Sequence, residues 1–150
     1  MKEKILLGIQ KVFFPLELVA LILILLKFFL EGDNQITTGV GFILLAALYF
    51  FTAYFSPQPG ITRFASFSKK ILGVALSVSV IGIYFTFMHL PGAQTMLTIG
   101  VTSIIISMIF LLIEILRKSE TANLVKFSVI RGLVISICSA LLLYFADFNA

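Results

Sequence analysis

Residues 93–116 read AQTMLTIGVTSIIISMIFLLIEIL and are followed at once by Arg117 and Lys118. A helix rising about 1.5 Å per residue needs roughly 20 residues to cross a hydrocarbon layer of about 30 Å. This stretch is long enough, and Glu114 near its end is its one charged side chain. In lipid an unpaired backbone group costs several kcal/mol, so an unbroken apolar run has to bond to itself as a helix. Four more runs of the same kind lie around it: Phe13 to Leu30, Ile36 to Phe55, Ile71 to Leu90 and Phe127 to Phe145. Hydrophobic residues make up 60% of the 150-residue chain and charged residues 12%, against nearly half and about a quarter in soluble domains. The pattern predicts an all-α polytopic membrane protein. It forms a single transmembrane domain over residues 1–150, with five helices as two tandem hairpins followed by one helix.

The basic residues orient it. Lys2, Lys4 and Lys11 precede the first run, Arg63, Lys69 and Lys70 lie between the second and third, and Arg117, Lys118, Lys126 and Arg131 surround the gap between the fourth and fifth. The other connections, residues 31–35 and the Pro91-Gly92 turn, hold no Lys or Arg. The positive-inside rule then predicts a cytoplasmic N-terminus and an external C-terminus. Lys27 is the exception, and Glu31 one helical turn on can neutralise it at the outer interface. A net charge of +4 split among three margins reads as a topology determinant and not as a nucleic-acid surface. Leu30-Glu31-Gly32-Asp33 has no small-x-small cleavage pattern, so the first run is expected to stay as an anchor. The single cysteine, Cys138, excludes an intramolecular disulfide and a cysteine-based metal site.

Between the second and third runs, Ser56-Pro57-Gln58-Pro59-Gly60 breaks the chain. After it, Ile61, Phe64, Phe67 and Ile71 recur at near-helical spacing among basic residues. They are expected either as a short amphipathic stretch in the lipid interface or as an apolar loop. Gly132, Ser136 and Ala140 are four apart, as are Gly73 and Ser77, and such lines let helix backbones approach closely in lipid.

Ionisable residues at membrane depth are costly and point to function or to pairing. Glu17, Glu114 and Arg131 fall roughly 5 to 9 Å inside the cytoplasmic boundary, counted from the flanking basic residues, on three different helices. They are expected as a charged cluster: a lock, a proton or cation path, or side chains that snorkel separately to the headgroups. His89, the sole histidine, can titrate near neutral pH, ligate a metal with Glu31 and Asp33, or cap a turn, and capping is the expectation. Gly39 and Gly41 lack the strand and the further glycine of a nucleotide motif. The serines have no histidine at matching depth, so no nucleophilic triad is available. No catalytic residue, cofactor or metal is predicted.

A displacement of 60 positions sets Leu16 on Leu76, Leu30 on Leu90, Gly32 on Gly92, Thr38 on Thr98 and Phe50 on Phe110, as in a parallel duplication of one hairpin. At the second outer turn, Phe85-Thr86-Phe87-Met88-His89-Leu90-Pro91-Gly92 is followed by Met96-Leu97-Thr98-Ile99-Gly100. This segment resembles the F-K-x-x-H…G…M-L-x-I-G signature of GldL-related proteins, small inner-membrane proteins of Bacteroidota connected with gliding motility and type IX secretion. The resemblance covers Phe85 to Phe110 and makes His89, Pro91, Gly92 and Gly100 its marker residues. It implies a bacterial inner membrane and a hairpin design. Where that family has its proton-carrying glutamate, the chain reads Val101-Thr102-Ser103-Ile104, so the motor function is not implied.

With no catalytic set and little polar lining, the expected function is a non-enzymatic subunit or accessory of a larger inner-membrane assembly. Its partners would be the lipid bilayer and another membrane protein, or further copies of itself. The alternative is a small transporter or ion-conducting homo-oligomer that uses Glu17, Glu114 and Arg131, with hydroxyls such as Thr98, Thr102, Ser103 and Ser107.

Overall fold

The computed structural model describes residues 12–13, 15–25, 35–55, 62–117 and 119–148, and among these there is no strand. The helices are α1 (Pro15–Leu25), α2 (Gln35–Phe55), α3 (Arg63–Phe87), α4 (Ala93–Arg117) and α5 (Ser119–Phe148). The first outer turn from Glu31 to Asn34, the Lys27–Glu31 pair and the break at Ser56 to Gly60 lie outside the described residues. Three helices, where five were expected, are long and apolar enough to cross a membrane among the described residues: Ile36–Tyr54, Arg63–Phe87 and Ala93–Arg117. The apolar stretches Pro15–Leu25 and Ser128–Tyr144 are shorter. The continuation of the first to Leu30 falls outside the described residues. The second begins just after Lys126.

Two helices begin earlier than hydropathy indicates. The segment expected as a short amphipathic stretch or a loop is helical and not a loop, and Arg63 to Lys70 forms the first turns of α3 instead of a separate element. Thr62 caps it with extended backbone (φ −63°, ψ 155°), its hydroxyl accepting from the Ala65 amide at 3.1 Å and its carbonyl from the Ser66 amide at 2.9 Å. That hydroxyl satisfies one of the first-turn donors a helix leaves open. Likewise α5 starts at Ser119 and not at Phe127. Hydropathy reports the thickness of the apolar layer; backbone bonding sets helix length, and Glu, Ala, Leu and Lys all propagate a helix well.

Between α3 and α4 the turn is tight. The Leu90 amide donates to the Phe85 carbonyl at 2.9 Å and the His89 amide to the Thr86 carbonyl at 3.2 Å. This is the double closure that ends many helices, with a left-handed residue at the pivot. That residue is His89 (φ 52°), in a place glycine usually takes. Gly92 (φ 87°) turns the chain again before α4 begins at Ala93.

The centre of the bundle is α3, which packs on α2, α4 and α5. Its buried face is rich in small residues, among them Ala65, Ser68, Gly73, Ala75, Ser77, Ser79 and Gly82. A Cβ on Gly73 would lie 2.7 Å from the Ala53 Cβ and 2.9 Å from the Tyr49 carbonyl oxygen, so α2 rests directly on the α3 backbone. A Cβ on Gly100 would lie 3.0 Å from the Ser79 Cα, which brings α4 onto α3 just as closely. In the first hairpin a Cβ on Gly41 would meet the Ala20 carbonyl oxygen at 3.2 Å. Ser79 and Gly100 each stand 59 places beyond Ala20 and Gly41, so the close contact recurs one place off the register of the sequence match.

The packing inverts that of a water-soluble bundle. Leu97, Gly100, Ile104, Ser107, Leu111 and Glu114 alternate at three- and four-residue spacings along the buried stripe of α4. Ile99, Ile105, Ile109, Leu112 and Leu116 are exposed on its other faces. Buried hydroxyls and exposed large aliphatics suit a lipid surround, where a contiguous apolar surface carries no penalty.

On α5 the expected small-residue line is only partly inside. Gly132 is buried against Leu72 and Met108, Ser136 is half-buried and Ala140 is exposed. The buried stripe runs instead through Gly132, Ile135 and Ser139, because a 3.6-residue period carries a strict four-residue line around the helix.

Candidate functional site: a charged layer across the helices

The polar layer lies toward one end of the bundle, where α1, α3 and α5 bring in charged residues. Glu17 lies on α1, two residues after Pro15, and its side chain is 14% exposed. One of its carboxylate oxygens accepts from the Tyr49 hydroxyl of α2 at 2.8 Å, and the other pairs with the Arg131 guanidinium of α5. Lys69 of α3 is half-buried, near enough for the Arg131 charge to act on it. Four helices thus meet around Glu17 and Arg131.

Glu114 is buried on α4, but it joins the layer through another partner. The Thr62 hydroxyl donates to the Glu114 carboxylate at 2.6 Å while accepting from the Ala65 amide. The hydroxyl therefore links the last turns of α4 to the first turn of α3. The carboxylate also sits beside the positive end of the α3 dipole, a favourable place for an anion.

The three residues expected as one cluster form two sites. Glu17 and Arg131 are paired as the shared depth implied; Glu114 is held by Thr62, and among the described residues no ion pair joins it to Arg131. Tyr49 and Thr62 were missed. Tyr49 sits within an apolar run, yet a buried tyrosine hydroxyl needs a partner at its own depth, and that was the available signal. Thr62 directly precedes a helix-spaced pattern, the usual place of a cap. Lys69 and Lys70 are consecutive helical residues and so point about 100° apart, which leaves Lys69 half-buried and Lys70 exposed.

The layer holds two acidic and two basic side chains, so its formal charges balance. Removing ions from water is costly, and their attraction repays this only when further hydrogen bonds satisfy them. Tyr49 and Thr62 supply those bonds.

The outer-turn residues have separate structural roles. His89 and Gly92 form the left-handed pivots, with His89 and Pro91 exposed, while Gly100 lies eight residues further along at the buried crossing with Ser79. Of the hydroxyls considered for a polar path, those of Thr98, Thr102 and Ser107 donate to carbonyls four residues back in α4. The Ser79 and Ser139 hydroxyls are buried without a hydrogen-bond partner among the described residues.

No family model matches the chain, and neither the curated proteins nor the solved structures contain a match to it.

Proposed function

We propose that the chain is a non-enzymatic, multi-spanning subunit of a larger membrane assembly, held in shape by its charged layer. The observation that carries this reading is the engagement of both carboxylates. Glu17 is taken up by Tyr49 and Arg131, and Glu114 by Thr62. Groups committed to locking helices together are poorly arranged to hand on an ion, and three hydroxyls of α4 are turned back onto their own helix. The surface left over is apolar. Between α4 and α5 it forms a shallow groove of about 280 Å³ lined by Ile105, Ile109, Leu133 and Ser136, a shape suited to another membrane helix.

In this reading all five apolar runs of the sequence span the membrane. The N-terminus is cytoplasmic and the C-terminus outside, an orientation supported by the basic residues. The bacterial inner membrane is supported by the GldL-like residues between Phe85 and Phe110. Single cysteines at Asn34 and Asn123 in a Cys138→Ser background then label from outside and from inside respectively. The reverse pattern would overturn the orientation.

Purification from the native host in mild detergent, with mass spectrometry of whatever co-elutes, tests the assembly. A second membrane protein in fixed stoichiometry is the expected result. A homo-oligomer whose ion flux is lost in Glu17→Gln and Glu114→Gln variants would replace this reading with an ion-conducting one.

A further inference from the structure

A second and larger groove, of about 420 Å³, runs along α3 between the end of α2 and the first half of α4. Small residues form its floor: Ala75 on α3, with Gly100 and Ser103 on α4. Gly100 cannot be enlarged, because a Cβ there collides with Ser79, so the closeness of the α3–α4 crossing also leaves this trough. Phe67 and Tyr54 stand at one end and Ile99 at the other, all three exposed.

One residue of the lining is charged. Lys70 is exposed at the same end as Phe67 and Tyr54, and it makes no ion pair with a described residue. Its neighbour Lys69 is half-buried. From Lys70 to Val78 the groove follows α3 for about 12 Å, close to the roughly 15 Å depth of one leaflet's hydrocarbon. A cation at the shallow end of an apolar trough one leaflet deep complements a lipid with an anionic headgroup at its top and a chain below it.

We propose that this groove is a binding site for an anionic phospholipid. The Lys70 ammonium pairs with the headgroup phosphate, and one acyl chain lies over Ala75, Gly100 and Ser103 between Phe67 and Ile99. Phosphatidylglycerol fits this chemistry. A zwitterionic phosphatidylcholine presents its own ammonium at the same height and gains less. The proposal rests on the membrane placement of the chain, which the cysteine probes test separately, and it is independent of the subunit reading.

The test is native mass spectrometry of the full chain in mild detergent, titrated with phosphatidylglycerol or phosphatidylcholine. One phosphatidylglycerol retained per chain, preferred about fivefold, is the expected result, given the typical strength of one basic residue at an anionic surface. Lys70→Glu removes the preference and Lys70→Arg keeps it, both at unchanged helical content, since the side chain is exposed. Val78→Phe, which fills the trough, lowers retention of both lipids. Equal retention of the two lipids by the native chain overturns the proposal, as does a preference that survives Lys70→Glu. A protein cross-linked from Ser103→Cys in the Cys138→Ser background, in place of lipid, overturns it too.

Discussion

Arg131→Met lowers the stability of the folded chain by about 3 kcal/mol, the low end of what breaking a buried ion pair costs, because the Arg131 side chain is 31% exposed. The loss arises less from the missing attraction than from Glu17, which keeps its burial and its Tyr49 bond but has no counter-charge. Replacing both partners, Glu17→Leu with Arg131→Met, therefore restores most of the stability, since two apolar side chains of similar size leave no ion unpaired. Tyr49→Phe costs about 2 kcal/mol, the usual net worth of one hydrogen bond to a charged group. Denaturant titration of the detergent-solubilised chain, followed by circular dichroism, measures these three variants together with Glu17→Leu alone. If the double variant is as unstable as the sum of its parts, Glu17 and Arg131 do not act as a pair.

Gly73→Leu has a comparable effect, about 3 kcal/mol or more, from overpacking at a backbone contact. Two of the atoms within 3.1 Å of the added Cβ belong to the α2 backbone, the Tyr49 carbonyl oxygen and the Ala53 Cα, so a helix has to move and not a flexible side chain. Gly73→Ala already requires a shift, and Ala53→Gly relieves it by removing the nearest carbon. Because α2 carries Tyr49, pushing it away from α3 also draws the hydroxyl off Glu17. Gly73→Ala and Tyr49→Phe should then be non-additive, as expected of changes that share a partner. Thermal melting of the single and double variants checks this. A Gly73→Leu chain as stable as the native one would mean that α2 and α3 are not packed through this glycine.

Much of the helical architecture is legible from apolar run length, because lipid gives the backbone no other partner. What run length cannot supply is where a helix stops. Arg63 to Lys70 and Ser119 to Lys126 carry the charges that end an apolar run, yet their backbones continue the helix. The candidate site was legible in depth but not in azimuth. Counting residues from the basic margins puts Glu17, Glu114 and Arg131 in one layer, and Glu17 does meet Arg131. The face that Glu114 presents depends on how α4 rotates against α3, which the Gly100–Ser79 contact fixes and no count reveals. Tyr49 stayed hidden for a simpler reason: a hydropathy scale counts its ring and overlooks its hydroxyl.

The turn at His89 and Gly92 also has a mechanical consequence. Two left-handed residues three positions apart, with the last carbonyls of α3 already bonded to Leu90 and His89, leave no slack between the two helices. Sliding α4 along α3 by one turn, the roughly 5.4 Å ratchet by which packed helices exchange partners, would have to tear this closure open. The α3–α4 hairpin is therefore a rigid strut. Any movement within this chain has to hinge elsewhere, at α1 and α5, which meet across the Glu17–Arg131 ion pair.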